Sequence, residues 1–423
     1  MAHLLLLLPS MSYRGEAFLE AASKVGVSLT IAGDAPPEFL EQSPENFLIL
    51  DLHNPDTAIP AVMTYAKDSP LDVVLGVNDQ TAVLASTLSE ALGLSANSID
   101  SVQAASNKHT MRKLLQTEGL PCPNFMVVSV DEMPAEVVPH VTFPCVLKPL
   151  TLSGSCGVIR ADDQESFQQA FHRIASLLKT FPSFEHDAAS RQILIEDFIP
   201  GIEVALEGLL TKSAFHPLAL FDKPDPLDGP YFEETIYITP SRLPSDTQRR
   251  ITESLAKAAR AIGLREGPVH GELRINDHDI WVIEVAARSI GGKCSRMLEF
   301  GTGRSLEELI LLQALGQELP SFDLTGRAGG VMMIPIPQKG MLVRVEGQDA
   351  AQRVRGVEEL VITAKPGESL IPLPEGKRYL GFILARGTRP EEVEDTLRKA
   401  HQQLTVVMSS QDSTGDHAEV FRV

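Results

Sequence analysis

The sequence predicts an α/β protein in which a small parallel sheet comes first, a region of hairpins follows, and a strand-rich α+β part ends the chain. Strand and helix patterns alternate over the first hundred residues, as in parallel sheets, whereas later strands follow one another across turn residues. A chain of 423 residues is long enough for more than one lobe. We expect an N-terminal α/β domain at 1–105, a central domain at 106–322 with lobes near 110–200 and 201–322, and a C-terminal part at 323–423 that completes the large lobe.

The N-terminal domain is predicted from short apolar runs that alternate with amphipathic segments. Its loops at 9–15 and 78–81 follow predicted strands, and ligands of parallel α/β sheets lie at such strand ends. The expected strands are His3–Leu8, Val27–Ala32, Phe47–Leu52 and Val73–Val77, and the expected helices are Gly15–Val25 and Gln80–Leu92.

The remaining sequence predicts two helices in the central domain, at Lys108–Glu118 and Glu165–Leu178, and then several hairpins. A stretch rich in Pro, Gly and Asp, Asp222–Pro230, is typical of a mobile loop. In the last hundred residues we expect strands at Val331–Ile336, Leu342–Val345, Leu360–Ala364 and Tyr379–Arg386, and a final helix at Pro390–Met408.

Composition and charge exclude several classes of function. The formal net charge of −19 argues against a nucleic-acid-binding surface, so a bound anion would need a local basic pocket. The four cysteines lack the spacing of a zinc site and are too few for a disulfide scaffold, as expected of reduced thiols in a cytoplasmic protein. The run Leu4–Leu8 is too short for a signal segment or a membrane span, so we predict a buried strand and no membrane partner.

The most informative feature is a predicted hairpin that carries Glu272 and Glu284. Directly opposed residues of an antiparallel pair lie roughly 5 Å apart at Cβ and point the same way. Two carboxylates that close repel each other unless a cation lies between them, and magnesium favours such oxygen ligands. An exposed hairpin with two solvated acids is the alternative that these residues alone leave open. With the turn centred on His278, the predicted pairs are Ile280 with Asn276, Val282 with Arg274, and Glu284 with Glu272.

A second candidate site combines a lysine with a loop of small residues. The predicted strand Phe143–Pro149 delivers Lys148, and the loop Ser153–Val158 follows it. Glycines there let backbone N–H groups approach an anion closely, and a nearby ammonium suits phosphate. Neither Gly-x-x-x-x-Gly-Lys-Ser/Thr nor Gly-x-Gly-x-x-Gly occurs in the chain, so the common nucleotide motifs are absent. The pattern predicts a phosphate site, with an ordinary hairpin as the alternative.

A third feature is a strand–turn–strand segment. The strand Gln192–Ile199 is followed by the turn Pro200-Gly201 and a second strand, Ile202–Glu207. An adenine could lie on this hinge, where Glu203 would accept hydrogen bonds from ribose hydroxyls. An ordinary hairpin with solvated acids remains the alternative.

In their order and spacing these pieces resemble the ATP-grasp superfamily, and within it the L-amino-acid ligases that form dipeptides, such as carnosine synthase. The long segment from Asp222 to Pro240 is similar to that branch. The resemblance implies an ATP-grasp fold with a Rossmann-like N-terminal domain and a strand-rich C-terminal α+β part. The matching segments are Asn107-Lys108, Val146–Pro149, Ser153–Val158, Glu196–Glu203, Gly271–Arg274 and Glu284–Gly292.

The resemblance also implies ATP and one or two Mg²⁺ ions as cofactors, with Mn²⁺ as a substitute. The family usually has Asn two residues after the second metal glutamate, and here Ala286 leaves the number of ions open. The implied roles are phosphate binding for Lys108, Lys148, Ser153, Gly154, Ser155 and Gly157; adenine for Glu196, Asp197, Phe198 and Ile199; ribose for Glu203; metal for Glu272 and Glu284; catalysis for Arg288 and Lys148; and substrate for His270, Arg274, Arg288, Gly291 and Gly292.

The activity implied is that of an ADP-forming ligase that joins a carboxylate to an amine, with L-amino acids or related small acids as substrates. The carboxylate would attack the γ-phosphate, and the amine would then displace phosphate from the acyl phosphate. Cys156 is expected to be a small loop residue and not a nucleophile. Two alternatives remain, a bicarbonate-activating enzyme resembling biotin carboxylase and a nucleotide-binding regulatory protein without turnover, and a homodimer is left open.

Overall fold

The computed structural model describes residues 2–10, 12–37, 46–325, 327–409 and 418–422. These residues form one eight-stranded sheet and three four-stranded sheets. None of the helices they form is long and apolar enough to cross a membrane. The α/β class with an N-terminal parallel sheet, predicted from the sequence, is confirmed.

The N-terminal sheet is parallel, in the order β3-β2-β1-β4. The leucine run of its central strand is at most 1% exposed, so it is the buried strand that the sequence predicts. The first helix has the predicted bounds and ends at Gly26, whose φ of 77° suits glycine. The elements are β1 (His3–Leu7), α1 (Gly15–Val25), β2 (Ser28–Gly33), β3 (Phe47–Ile49), α2 (Pro55–Asp68), β4 (Val73–Gly76), α3 (Asp79–Leu92) and α4 (Ile99–Ser106).

A small antiparallel sheet follows, in the order β5-β8-β6-β7. Its covering helix starts at a capping box, in which the side chain of Asp163 accepts from the N–H of Ser166. That helix buries Phe167, Phe171 and Ile174 against the sheet. The elements are α5 (Lys108–Thr117), β5 (Phe125–Ser129), α6 (Pro134–Val137), β6 (Cys145–Pro149), β7 (Ile159–Ala161), α7 (Gln164–Leu178) and β8 (Gln192–Asp197).

The eight-stranded antiparallel sheet has the order β13-β12-β9-β10-β11-β14-β18-β16, and a smaller sheet has the order β17-β15-β19-β20. Strands from the C-terminal part thus continue the sheet that the central region begins. The elements are β9 (Ile202–Thr211), β10 (Ala214–Asp222), β11 (Ile236–Thr239), α8 (Ser245–Ile262), β12 (Gly267–Ile275), β13 (Ile280–Ala286), α9 (Leu306–Ala314), β14 (Ala328–Ile334), β15 (Gly340–Glu346), α10 (Gln348–Gln352), β16 (Val357–Ile362), β17 (Ser369–Leu370), β18 (Gly381–Gly387), α11 (Pro390–His401), β19 (Thr405–Ser409) and β20 (Ala418–Arg422).

Two secondary-structure predictions were wrong. The last helix ends at His401, and residues that the sequence prediction placed in it form β19, since Thr405 and the valines after it favour a strand and pair with β15. The helices α8 and α9 lie in a region for which we expected hairpins. In α8, Ile251, Leu255 and Ile262 are buried at helical spacing and pack against the large sheet.

The hairpin of β12 and β13 is present, and Glu272 pairs with Glu284 as predicted. Its turn is closed by Asn276, whose side-chain oxygen accepts from the N–H groups of His278 and Asp279, both at 3.0 Å. The predicted register nearer the turn was wrong by one residue. The observed pairs there are Ile275 with Ile280, Arg274 with Trp281, and Leu273 with Val282.

A β-bulge explains why the glutamates still meet. The register shifts between Leu273 and Glu272, so Ile283 on the other strand has no partner of its own. This extra residue restores the offset introduced at the turn. The carboxylate pair is therefore positioned by the bulge and not by a regular ladder.

Candidate functional site

Almost all of the predicted site residues line one cavity of about 1010 Å³. Its walls come from the loop after β1, from the small sheet, from the large sheet and from the C-terminal part. Ligand pockets of drug-sized molecules have roughly 300–1,000 Å³, so there is room for more than one substrate. Gly157 is the exception among the predicted residues: its N–H donates to Pro374 O at 2.7 Å, and it is not part of the wall.

At one place on the wall a buried carboxylate lies between two cations. Glu196 forms an ion pair with Lys148 and accepts from Arg112 Nε at 2.9 Å. Although burial works against ionisation, Arg112 and Lys148 lower the pKa of Glu196 to about 2. Burial lowers the pKa of Lys148, and the charge of Arg112 lowers it further. Glu196 was predicted to line an adenine pocket, and the structure shows its carboxylate engaged by these two cations.

Arg112 also connects this carboxylate to the bulge of the hairpin. Its guanidinium is fully buried and donates to Val282 O at 3.1 Å and to Ile283 O at 2.8 Å. Sequence reasoning missed Arg112 because a single arginine in a helix is usually exposed. The available signal was its place on the helix, three residues before the buried Leu115 and so on the same face.

Lys108, the first residue of α5, lies between the start of the small-residue loop and the hairpin. The Nζ of Lys108 donates to Leu152 O at 2.6 Å and lies 4.0 Å from a carboxylate oxygen of Glu284. Gly154 and Ser155 have φ of 63° and 56°, and both line the cavity. Cys156 is 1% exposed, and burial raises the pKa of its thiol, which disfavours the reactive thiolate.

A second charged cluster surrounds Lys223. Its Nζ lies 2.8 Å from Glu203, 2.6 Å from Glu234 and 3.2 Å from Glu272. Although burial opposes it, Lys223 and His270 lower the pKa of Glu272 well below its ordinary value. Burial, and then the charge of Glu272, raise the pKa of Glu234 to about 7.

The position of Lys223 corrects the prediction of a mobile loop from Asp222. Lys223 is 8% exposed, and Asp222 accepts from Ser241 Oγ at 2.5 Å and from Arg242 N at 2.9 Å. The first residues of the segment are therefore fixed by buried ion pairs and hydrogen bonds. No sequence signal pointed to Lys223, because Glu203 and Glu272 come from other strands and Glu234 lies eleven residues further along the same segment.

The carboxylates fit a magnesium ion. Glu272 and Glu284 belong to paired strands, and their side chains are 17% and 23% exposed, so both offer oxygen ligands to the cavity. Ala286 is 1% exposed and offers no ligand atom. Oxygens of Glu203, Glu234 and Glu272 lie within 4.8 Å of one another, so Glu272 belongs to two possible donor sets.

His270 and Arg274 lie on the same strand as Glu272 but differ in their contacts. His270 lies 3.4 Å from Glu207 and 3.6 Å from Glu272. Burial alone would lower the pKa of His270, but its interactions with these two carboxylates raise it to about 9. Arg274 donates to Ile199 O at 2.8 Å and to a second backbone carbonyl, so it supports the strand end next to the predicted adenine pocket.

Arg288 is held at the N-terminus of α3. Its Nε donates to Asp79 at 3.1 Å, and its Nη1 donates to Ser289 O at 3.2 Å. Burial lowers the pKa of Arg288, but the charges of Asp79 and Glu284 outweigh it and raise the pKa above its ordinary value. Asp79 belongs to the loop 78–81 that the sequence predicts as a ligand loop. Its pairing with Arg288 was not predicted.

Three family models match the chain. Residues 19–95 match an ATP-grasp N-terminal domain, 141–297 an ATP-grasp domain, and 332–409 the L-amino acid ligase C-terminal domain 2. The first match covers β2 to β4 of the N-terminal sheet, the second covers β6 to β13, and the third covers most of the C-terminal part.

Individual proteins agree with these models. The chain is 27% identical over 236 residues to the alanine–anticapsin ligase of Bacillus subtilis, which is 52% of this chain and 49% of that protein. It thus spans about half the length of that relative. It is 25% identical to the dapdiamide A synthase of Enterobacter agglomerans, over 81% of each chain.

The same relationship extends to a solved structure. The L-amino acid ligase from Bacillus licheniformis superposes with a TM-score of 0.82 at 26% identity, over 97% of this chain and 99% of that one. The ATP-grasp domain, its N-terminal partner and the C-terminal module therefore occur together in one similar protein. The chain belongs to the ATP-grasp superfamily and is similar to its L-amino acid ligases.

Proposed function

We propose that the protein is an ADP-forming ligase that joins the carboxylate of one L-amino acid, or a related small acid, to the amine of another. The observation that carries the proposal is the single cavity in which Lys148 and Lys108 lie with the pair Glu272 and Glu284 and with Arg288. Phosphate-binding cations, metal-binding carboxylates and a fixed guanidinium are the parts that this chemistry requires.

The nucleotide would occupy the part of the cavity between the small sheet and the hairpin. Lys148 and Lys108 would hold phosphate oxygens, together with the backbone of Ser153, Gly154 and Ser155. Phe198 and Ile199, on the strand end that Arg274 supports, would contact the base. Glu203 is the residue we assign to the ribose, and its bond to Lys223 fixes its carboxylate.

Glu272 and Glu284 would hold the magnesium ion, which when bound neutralises phosphate charge and orients the triphosphate. This pair would hold one ion, and Ala286 offers no side-chain ligand for a second. Lys108, 4.0 Å from Glu284, would hold phosphates next to the ion.

The reaction balances without an enzyme nucleophile. The substrate carboxylate attacks the γ-phosphorus, and the bond to the β-phosphate oxygen breaks. The products of this step are ADP and an acyl phosphate. The amine then attacks the carbonyl carbon, the bond to phosphate breaks, and the nitrogen loses a proton. Both steps gather negative charge on oxygen, and Arg288, held in place by Asp79, would stabilise it.

The deciding experiment measures ADP release with single L-amino acids and with pairs, and identifies the product by mass spectrometry. We expect release that requires magnesium and at least one amino acid, with a dipeptide as product. Hydroxylamine, replacing the amine, should give a hydroxamate of the carboxylate substrate.

Three outcomes would contradict the proposal. Release that depends on bicarbonate and biotin would indicate a carboxylase. Tight ATP binding without release under any mixture would indicate a regulatory protein. Release with amino acids but without hydroxamate would exclude the acyl phosphate.

A further inference from the structure

An aromatic recess forms the part of the cavity wall that the nucleotide and metal sites do not use. Tyr13 and Tyr379 flank Phe382, with ring centroids 5.5 Å and 6.2 Å from it. Met333 lies beside them on β14, and all four residues line the cavity. They come from the loop after β1, from β14, and from the start of β18 and the residues before it.

Part of the apolar surface of the recess is exposed to the cavity. Tyr13 is 43% exposed although it lines a cavity, and Tyr379 is partly exposed, whereas Phe382 and Met333 are 4% and 3% exposed. The buried residues form the floor, and the two tyrosines stand above it. Burial, and then the nearby carboxylates of Glu234 and Glu233, raise the pKa of Tyr379 well above its ordinary value, so its hydroxyl stays neutral.

Two glycines that follow Arg288 in the chain, Gly291 and Gly292, lie next to the recess. The N–H of Gly292 donates to the hydroxyl of Tyr13 at 2.6 Å. Gly292 has a φ of 61°, and a Cβ there would lie 2.7 Å from the sulfur of Met333. A Cβ at Gly291 would lie 3.4 Å from the hydroxyl of Tyr13. Both glycines line the cavity, as Arg288 does. Because glycine has no side chain, neither of them adds atoms between Arg288 and the aromatic rings.

We propose that this recess receives the side chain of one of the two amino acids, and that this substrate has an aromatic or large apolar side chain. The proposal rests on the ligase function proposed above and names the class of one substrate. These four uncharged side chains, of which the two tyrosines have exposed ring surface, would gain little from a small or charged substrate. A phenyl or isobutyl group would bury its own surface and that of the tyrosines.

The size of the preference follows from the surface that is buried. An extra methylene in an apolar pocket changes specificity by about 10- to 200-fold, so a whole aromatic side chain should be favoured by at least about tenfold over the methyl of alanine. The preference should appear in kcat/KM for the amino acid and leave the KM for ATP unchanged.

The first experiment uses the full chain with ATP, magnesium and hydroxylamine or a second amino acid, and compares Phe, Tyr, Leu and Met with Ala, Ser, Asp and Lys. We expect kcat/KM to be at least about tenfold higher for the first group. ADP release that is supported only by small or charged amino acids would overturn the recess and leave the ligase function standing. An absence of release with every amino acid would instead contradict the ligase function.

The second experiment tests whether the recess is responsible. Tyr379→Ala should raise the KM for phenylalanine by at least about tenfold, while the matched variant Tyr379→Phe, which keeps the ring, should change it by less than about threefold. The readout is the ratio of kcat/KM for phenylalanine to kcat/KM for alanine, which should fall in Tyr379→Ala and stay close to the wild-type ratio in Tyr379→Phe. An unchanged ratio of phenylalanine to alanine in folded Tyr379→Ala would overturn the proposal. If that variant does not fold, Tyr13→Ala, with Tyr13→Phe as its control, makes the same test.

Discussion

Two buried charge clusters on the wall of the cavity differ in their balance. Around Glu196, one carboxylate is shared by Lys148 and Arg112, so positive charge is in excess. Around Lys223, one ammonium is shared by three carboxylates. The first cluster is suited to an anion such as a triphosphate, and the second to a further cation, whether a metal ion or a substrate ammonium. In an acidic chain, the anion site thus depends on a local excess of one positive charge, since Lys148 and Arg112 face a single carboxylate.

The largest expected effect comes from removing the ammonium that the three carboxylates of the second cluster share. Lys223→Met leaves three carboxylates without their shared partner, and breaking such a buried pair costs about 3–5 kcal/mol of unfolding free energy. The measurement is urea unfolding without ligand. Lys148→Met is the matched control, because Glu196 keeps Arg112, and it should lose less. Equal losses would mean that the two clusters do not differ in balance.

The next effect is on turnover. Glu272→Gln and Glu284→Gln each remove one charged ligand of the proposed metal pair, so ADP release should fall by about 10²–10³-fold. The melting temperature of Glu284→Gln should stay close to that of the wild type, because its only ion pair, among the described residues, is the 4.0 Å contact with Lys108. Asp277→Asn, in the exposed turn of the same hairpin, is the control and should be fully active. Normal turnover of either glutamine variant would remove that residue from the metal site.

Arg288→Lys keeps the charge but loses the planar fork that grips two oxygens. We expect turnover to fall well beyond tenfold, while ATP affinity changes little, because the interaction is made mainly in the transition state. Steady-state kinetics and calorimetry give the two numbers, and the hydroxamate yield should fall with turnover. The control is Arg296→Lys at the surface. A large loss of ATP affinity would instead place Arg288 at the nucleotide.

In the first cluster, Lys148→Met should weaken ATP binding by about tenfold to a hundredfold, since a hydrogen bond to a charged group contributes about 1.5–3 kcal/mol. Isothermal calorimetry with ATP and magnesium measures it. Lys179→Met, exposed at the end of α7, is the control and should bind normally. Unchanged affinity in Lys148→Met would show that Glu196 neutralises the lysine and that the phosphates bind elsewhere.

The smallest effect is expected at Cys156. Burial raises the pKa of its thiol, and the proposed chemistry needs no enzyme nucleophile. Cys156→Ala should therefore retain turnover within about twofold. Loss of activity, with ATP binding intact, would contradict the assignment of this residue to packing.

Local patterns in the sequence predicted much of the fold. The alternation of apolar runs and helices gave the parallel N-terminal sheet, and the helix Gly15–Val25 has the expected bounds. Even the helix that was missed, Ser245–Ile262, carries a helical spacing of buried residues. The pairing of Glu272 with Glu284 was predicted on a regular ladder. Near the turn the observed register differs from the predicted one by one residue, and the bulge at Ile283 shifts it back, so the two glutamates are paired.

The buried ion pairs of the site could not be predicted in the same way. Arg112 and Glu196 are 84 residues apart, and Arg288 and Asp79 are 209 residues apart. Such partners are set by tertiary packing, which no local periodicity records. Lys223 belongs to a segment whose Pro, Gly and Asp content indicated a loop. Loop residues are usually exposed, so the composition gave no sign that the side chain of Lys223 is buried.

The contacts of Arg112 connect the proposed phosphate site to the proposed metal site. Its guanidinium holds the carboxylate beside Lys148 and also the carbonyls of the bulge that positions Glu284. A nucleotide that shifts the bond between Arg112 and Glu196 would also shift the bonds from Arg112 to the carbonyls of the bulge, because one planar guanidinium makes both. Such coupling is reciprocal: the factor by which magnesium tightens ATP through Arg112 is the factor by which ATP tightens magnesium. Each of the two ligands would therefore bind more tightly to protein that already holds the other.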